Sequence, residues 1–196
     1  MAFETLLLAT GNRGKYREFL EILPRGAVKK LLFAPDAAAE LHVEETGATY
    51  AMNAILKARA WAGASGLPSL ADDSGVEAEA LGWRPGVRSA RIVEGSDRDR
   101  NRWLLSQMKG KTNRRICYVA AVALTIPNQW TLVCEGVCWG TLGSAEAGEG
   151  GFGYDPLFTP DGCDVSFGEL PASVKNQISH RALAARALFG LLNHTF

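Results

Sequence analysis

The chain has 196 residues, 47% of them hydrophobic and 21% charged, a composition that folds around its own core and lacks the polar bias of a disordered segment. Twenty-one basic residues balance 21 acidic ones, which leaves no global positive field to hold a nucleic acid polymer or an anionic membrane. There is no basic stretch followed by a long apolar one at the amino terminus, and no apolar run nears the ~18 residues of a spanning helix, so one cytoplasmic domain over residues 1–196 is expected. Cys117, Cys134, Cys138 and Cys163 contain no C-x-x-C pair and read as reduced core thiols.

In chain order, the apolar run TLLLAT (Thr5 to Thr10) predicts a strand, followed by a loop and a helix with Tyr16, Phe19, Leu20 and Leu23 at helical spacing. Pro24 and Gly26 end that helix, and Leu31 to Ala34 read as the next strand. A second helix is predicted from about Thr49 to Ala62, burying Tyr50, Ala54, Ala58 and Trp61, with Asn53 and Lys57 four apart on another face. The short apolar run Leu67 to Leu70 predicts a strand that stops at the acidic sequence behind it. Ser96 to Asp99 read as a capping box opening a helix through Met108. Six arginines between Arg84 and Arg102 are interrupted by Glu94, Asp97 and Asp99 and read as a salt-bridged face. Arg115 to Ile126 and Trp130 to Leu142 are rich in β-branched and aromatic residues and form a hairpin about the turn PNQ. Ser179 caps a final helix with Leu183, Ala187, Leu188 and Leu191. The chain is therefore α/β with a mixed sheet.

Four stretches carry chemistry. The loop TGNRGK (Thr10, Gly11, Asn12, Arg13, Gly14, Lys15) lies between a buried strand and a helix, where free backbone N–H groups and the helix dipole suit a phosphate. It is no Walker A loop, because Ala9 stands five before Gly14 and Tyr16 follows Lys15, and it lacks the third glycine of a dinucleotide fingerprint. ADDSG (Ala71 to Gly75) sets two carboxylates side by side. Like charges this close repel, and burial without a partner costs several kcal/mol, so either solvent in a capped turn or a cation must compensate Asp72 and Asp73.

EETG (Glu44 to Gly47) supplies further carboxylates. Magnesium takes one or two carboxylates and completes its octahedron with water and phosphate oxygens. One carboxylate from Glu44 or Glu45 and one from the Asp pair could hold it, leaving the second aspartate to accept a proton from water. Downstream, GEGGFGYDPLF (Gly148 to Phe158) offers aromatics in a glycine-rich loop, and KNQISHRALAAR places Lys175, His180 and Arg181 at a helix start. Aromatic rings stack on a base, while Arg and Lys bind its keto oxygen or the phosphates.

ATGNRGK, EETG, NAILKA, ADDSG, PGVRSAR, GGFGYDP and SHRALA, in this order, resemble the non-canonical purine nucleoside triphosphate pyrophosphatase family, also called inosine or xanthosine triphosphate pyrophosphatases. The resemblance covers nearly the whole chain and implies an elongated two-lobed single domain around a long twisted mixed β-sheet, usually as a homodimer, with the site in a cleft. It implies hydrolysis of dITP, ITP and XTP to the monophosphate and pyrophosphate with Mg2+, cleansing the nucleotide pool.

By motif position, Thr10, Gly11, Asn12, Arg13, Gly14 and Lys15 would contact the triphosphate with Lys57. Glu44, ahead of Glu45, would hold the metal with Asp72 and Asp73. Asp73 would also be the proton acceptor, and Ser74 would touch substrate. Phe152 would stack on the purine and Gly153 and Tyr154 would contact the substrate, while Asp155, Lys175, His180 and Arg181 would read the base or orient phosphates. Arg181 would donate to the 6-keto oxygen that adenine lacks, and a site built on such hydrogen bonds discriminates by ~10⁴-fold. Arg88 departs from the family's usual tyrosine and reads as a surface change. Two other readings are a related pyrophosphatase acting on pyrimidine triphosphates, whose opening loop is serine- and arginine-rich, and a non-catalytic purine nucleotide sensor, which would not require both a metal site and a spare base.

Overall fold

Seven strands and five α-helices are assigned in the computed structural model, which describes residues 2–37 and 41–195. β1 (Phe3–Leu8) leads into α1 (Arg13–Ile22), β2 (Val28–Phe33), α2 (Tyr50–Ser65), β3 (Ser69–Ala78) and the short β4 (Arg84–Pro85). α3 (Asp97–Gln107) precedes β5 (Arg115–Thr125), β6 (Thr131–Leu142) and β7 (Phe158–Pro160), and the chain closes on α4 (Ala172–Ile178) and α5 (His180–Thr195). The sheet order is β2-β1-β3-β5-β6-β7, with β4 paired to β3. β1 runs parallel to both β2 and β3, whereas β3 with β4 and β6 with β7 are antiparallel, so the sheet is mixed as expected.

The described residues of Met1–Asp73, Ala120–Gly136 and Arg181–Phe196 pack as one compact unit, and those of Ser74–Val119 and Val137–His180 as a second. The core of the first gathers Leu6 and Leu8 of β1, Phe19 of α1, Leu70 of β3, and Leu188 and Leu192 of α5. The second core is built on Val76, Leu104, Met108, Ile116, Phe158 and Phe167. Cys117 and Cys138 are buried, and all four cysteines are free; burial pushes the Cys117 thiol up to about 11 and that of Cys138 to about 12, which suits inert packing. No helix among the described residues is long and apolar enough to cross a membrane.

Three elements differ from the sequence expectation. β2 begins at Val28, three residues early, because it lies at the end of the sheet order, where Lys29 and Lys30 can remain exposed. α4 is seven residues long, too short to display a helical period in sequence. Ser179, expected to cap the last helix, stands directly before α5 in extended backbone, φ −67° and ψ 153°, the place and conformation of an N-cap.

The third difference governs the site. β3 does not stop before the acidic pair but runs through it to Ala78, with Asp72 and Asp73 both buried. A strand covered on both faces loses the in-out alternation that would have betrayed it in sequence.

The capping box is present: the Ser96 side chain accepts from the Asp99 N–H, and the Asp99 carboxylate accepts from the Ser96 N–H at 2.9 Å. Ser96→Ala should lower stability by about 1 kcal/mol, read as a shift of the urea midpoint with unchanged slope.

Candidate active site

Two groups of buried charge stand out, one in each unit. In the first, the loop between β1 and α1 is organised by its own side chains. Thr10 Oγ1 accepts the Asn12 N–H at 3.1 Å, and Asn12 caps α1 by accepting the Lys15 N–H at 3.1 Å. Gly11, Asn12 and Arg13 are exposed, the Arg13 guanidinium resting 5.2 Å from the centre of the Phe33 ring. Gly14 and Lys15 are partly buried, which turns the lysine inward.

Lys15 Nζ lies 2.5 Å from Asp72 Oδ1. The other oxygen of Asp72 accepts from Arg181 Nε at 3.0 Å, and an Arg181 terminal nitrogen pairs with Glu18 of α1. Burial alone would raise the Asp72 pKa, but Arg181 and then Lys15 outweigh it and hold this carboxyl well below the usual range. For Lys15, burial wins over the attraction of Asp72 and lowers its pKa. Burial would also lower Arg181, and there Asp72 and Glu18 outweigh it.

Asp73 is one residue away and in a different environment. Its Oδ2 accepts from Asn53 Nδ2 at 2.9 Å, and its Oδ1 lies 3.6 Å from Lys57 Nζ. Burial raises its pKa above the ordinary value, Lys57 pulls the other way, and Glu45 adds to the rise. Lys57 itself donates to Glu45 at 2.5 Å and to the Asp72 carbonyl at 2.8 Å. Glu44 is exposed. Among the described residues, no group of three or more His, Cys, Asp or Glu is placed to hold a metal by itself.

In the second unit the hub is Asp155, buried at the start of the turn before β7. Its Oδ2 accepts from Lys175 Nζ at 2.5 Å and from the Phe152 N–H at 2.8 Å, and its Oδ1 accepts from the Tyr118 hydroxyl at 3.3 Å. Tyr118 stacks on the His180 ring, centroids 4.4 Å apart and planes within 4°. The Lys175 ammonium lies 4.9 Å from the centre of the half-buried Phe152 ring. The next amide in the loop, Gly153 N–H, donates to Asp97 Oδ2 at 2.6 Å, and Gly153 adopts φ +66°. Two carboxylates thus hold two successive amides and set the orientation of the aromatic loop.

The first unit therefore gathers Thr10, Asn12, Lys15, Lys57, Asp72, Asp73 and Arg181, and the second gathers Phe152, Gly153, Asp155, Lys175 and His180. Ser74, partly buried, is the first residue of the second unit.

Three of the expected residues have partners within the protein. Asp72, expected to help hold a metal, has both oxygens engaged by Lys15 and Arg181. Arg181, expected to read the base, is 2% exposed and belongs to the first unit, where its charge is spent on Asp72 and Glu18. Tyr154, expected to contact the substrate, is buried and donates its hydroxyl to the Ser89 carbonyl at 2.9 Å. In each case the sequence showed a polar group and the fold supplied its partner.

Tyr118, Asn53, Asp97 and Glu18 were not singled out as site residues. Tyr118 reads in sequence as one more strand aromatic, Asp97 as part of a charged face, and Glu18 as a helix-surface carboxylate. Asn53 alone left a signal, an amide four residues before Lys57 on one helix face.

A mixed α/β sheet bearing a buried aspartate pair next to a cationic, glycine-containing loop is a phosphate-handling arrangement. The chain belongs to the Ham1 family, which it matches over residues 6–191, and the resemblance read from its motifs is borne out. It is 47% identical over 184 residues to the dITP/XTP pyrophosphatase of Deinococcus deserti, covering 93% of this chain and 86% of that protein. With the dITP/XTP pyrophosphatase of Thermus thermophilus it shares 46% identity over 188 residues, 93% and 89% of the two chains. The structure of a HAM1 protein from Coxiella burnetii superposes with a TM-score of 0.86 at 33% identity, over 98% of this chain and 100% of the other.

The two aspartates should respond oppositely to replacement. Asp72→Ala removes the shared partner of two buried cations and should destabilise by about 3 to 5 kcal/mol. Asp73 binds a proton more readily in the folded than in the unfolded state, so its charge opposes folding as pH rises through the window above its ordinary value. Asp73→Asn should therefore raise the melting temperature at pH 7, with a gain that shrinks as the pH falls toward the ordinary carboxylate range, in metal-free thermal unfolding across that range.

Proposed function

We propose that the chain hydrolyses non-canonical purine nucleoside triphosphates, dITP, XTP and ITP, to the monophosphate and pyrophosphate. The names of the dITP/XTP pyrophosphatases to which it is 46 to 47% identical support the reaction class. One observation in this chain carries the reading: adjacent buried carboxylates whose environments push them apart, Asp72 held ionised by two cations and Asp73 raised by burial. Opposed environments on neighbouring carboxylates divide the labour of acid–base chemistry.

Asp73 is then the proton acceptor. Its raised pKa brings it nearer the working pH, which strengthens it as a base. The water oxygen bonds to the α phosphorus and gives its proton to the Asp73 carboxylate as the bond between the α and β phosphates breaks, and pyrophosphate departs with the bonding electrons. Lys15 and Lys57 supply positive charge to the phosphates, Lys15 from a loop whose Arg13 and Gly14 amides open a helix. Asp72 does not touch the reacting atoms in this reading; it holds Lys15 and Arg181 in place.

Glu44, which is exposed, and the buried Asp73 would offer the hard oxygen donors that a divalent cation takes, magnesium in this reading, with water and phosphate oxygens completing the shell. Glu45 suits that role less, because Lys57 occupies its carboxylate. When bound, such an ion neutralises charge on the phosphates and leaving pyrophosphate. In the second unit, Phe152 presents a ring to stack on a purine, and the Asp155–Lys175 pair with His180 supplies the polar edge that reads it.

Steady-state hydrolysis of dITP, XTP, ITP, ATP, GTP, dTTP and UTP, following pyrophosphate and orthophosphate separately, tests this reading. The expected result is pyrophosphate released chiefly from dITP, XTP and ITP; orthophosphate release or a pyrimidine preference would overturn it. Asp73→Asn should lower kcat by at least about 10²-fold while sparing nucleotide binding, and an equal loss of both would remove Asp73 as the base. Lys175→Ala should act on selectivity, bringing kcat/KM for ITP and ATP closer by roughly 10-fold or more.

A further inference from the structure

The geometry points to Asn53 as a positioning residue that fixes the proton acceptor and the EETG loop in one frame; this rests on the pyrophosphatase reading above. Asn53 stands in the first turn of α2 and is wholly buried. Its Nδ2 donates to Asp73 Oδ2 at 2.9 Å, and its Oδ1 accepts the Gly47 N–H at 2.7 Å. Only this orientation of the amide works, since the flipped one would set a donor against the Gly47 N–H and an acceptor against the carboxylate.

The loop is pressed onto the helix at this point. A Cβ on residue 47 would lie 2.6 Å from Asn53 Oδ1 and 2.7 Å from Met52 Cβ, so only glycine permits the approach. Two residues earlier, Glu45 is tied to Lys57 at 2.5 Å. Asn53 and Lys57 are four apart on one helix face, and each reaches both the loop and Asp73: Asn53 by hydrogen bonds, Lys57 by charge at 3.6 Å. Glu44, on the same loop, is thereby placed relative to Asp73 by two side chains of a single helix.

The chemistry selects asparagine. The position needs one donor and one acceptor on a short, uncharged group. Aspartate keeps the acceptor and loses the donor, leucine loses both, and glutamine moves the amide by one methylene. Asn53 also leaves the two oxygens of Asp73 unequal: Oδ2 is held by the amide, and Oδ1 faces the lysine. Asn53 does not meet substrate in this account; it acts through Asp73 and through the loop.

The test uses the full chain with Asn53→Ala, Asn53→Asp and Gly47→Ala. In Asn53→Ala, kcat for dITP should fall by about 30-fold or more, with KM within about threefold, because a misplaced reacting group costs turnover more than binding. In metal-free protein, hydrogen exchange at the Gly47 amide should accelerate while β1 and β3 keep their protection. Asn53→Asp should retain Gly47 protection and still lose turnover, which separates the two halves of the contact.

An unchanged kcat in folded Asn53→Ala, or a rise in KM alone, would overturn the assignment, as would Gly47 exchange that does not respond. Should Asn53→Ala fail to fold, Gly47→Ala reads the loop half, and full turnover in it overturns the proposal equally. Wild-type protein that releases no pyrophosphate from any nucleotide would sink the reaction reading instead, while the exchange measurement would still decide whether the tether exists.

Discussion

Burying charge is the constraint on which the first unit depends. Arg181, Asp72, Glu18 and Lys15 lie in a row of alternating sign in which each carboxylate meets a cation within hydrogen-bond reach, and Arg181 meets two carboxylates. Any one alone would cost several kcal/mol away from water. Together they let β3 continue through Asp72 without a turn, and that continuation delivers Asp73 buried beside α2. The two neighbours thus differ: Asp72 is matched by Arg181 and Lys15, whereas burial raises the pKa of Asp73.

The second unit meets the same constraint with a different residue set. Asp155 and Lys175 form a buried pair, and Asp155 spends its remaining lone pairs on the Phe152 amide and the Tyr118 hydroxyl. The ion pair therefore does structural work on an aromatic loop: it orders Phe152, while Asp97 at the start of α3 orders Gly153. Tyr118, lying flat on His180, gives the histidine a defined plane. A loop carrying an aromatic ring and several glycines is otherwise costly in conformational entropy to hold in one orientation.

The helix α2 is where scaffold and chemistry meet most closely. One face carries Tyr50, Ala54, Ala58 and Trp61 into the interior, as their spacing required. Another carries Asn53 and Lys57 to the acidic loop and to Asp73. A rigid helix is a better platform for these contacts than a loop, since each rotamer is locked by packing on both sides.

By itself the sequence determined the α/β class, the hairpin of β5 and β6, the capped start of α3, the faces of α2 and the family, because these rest on local periodicity, caps and short motifs in order. It also named Asp73, Lys15, Lys57, Phe152 and Lys175, each within a motif of unusual local chemistry. What only the tertiary structure decided is which charge meets which. Arg181 and Asp72 are 109 residues apart, and Arg181 and Glu18 are 163 apart, so no local pattern could pair them. The same holds for Tyr118 with Asp155 and for Asn53 with Asp73. A buried polar group takes its role from its partners, and those partners are assigned by packing across distant parts of the chain.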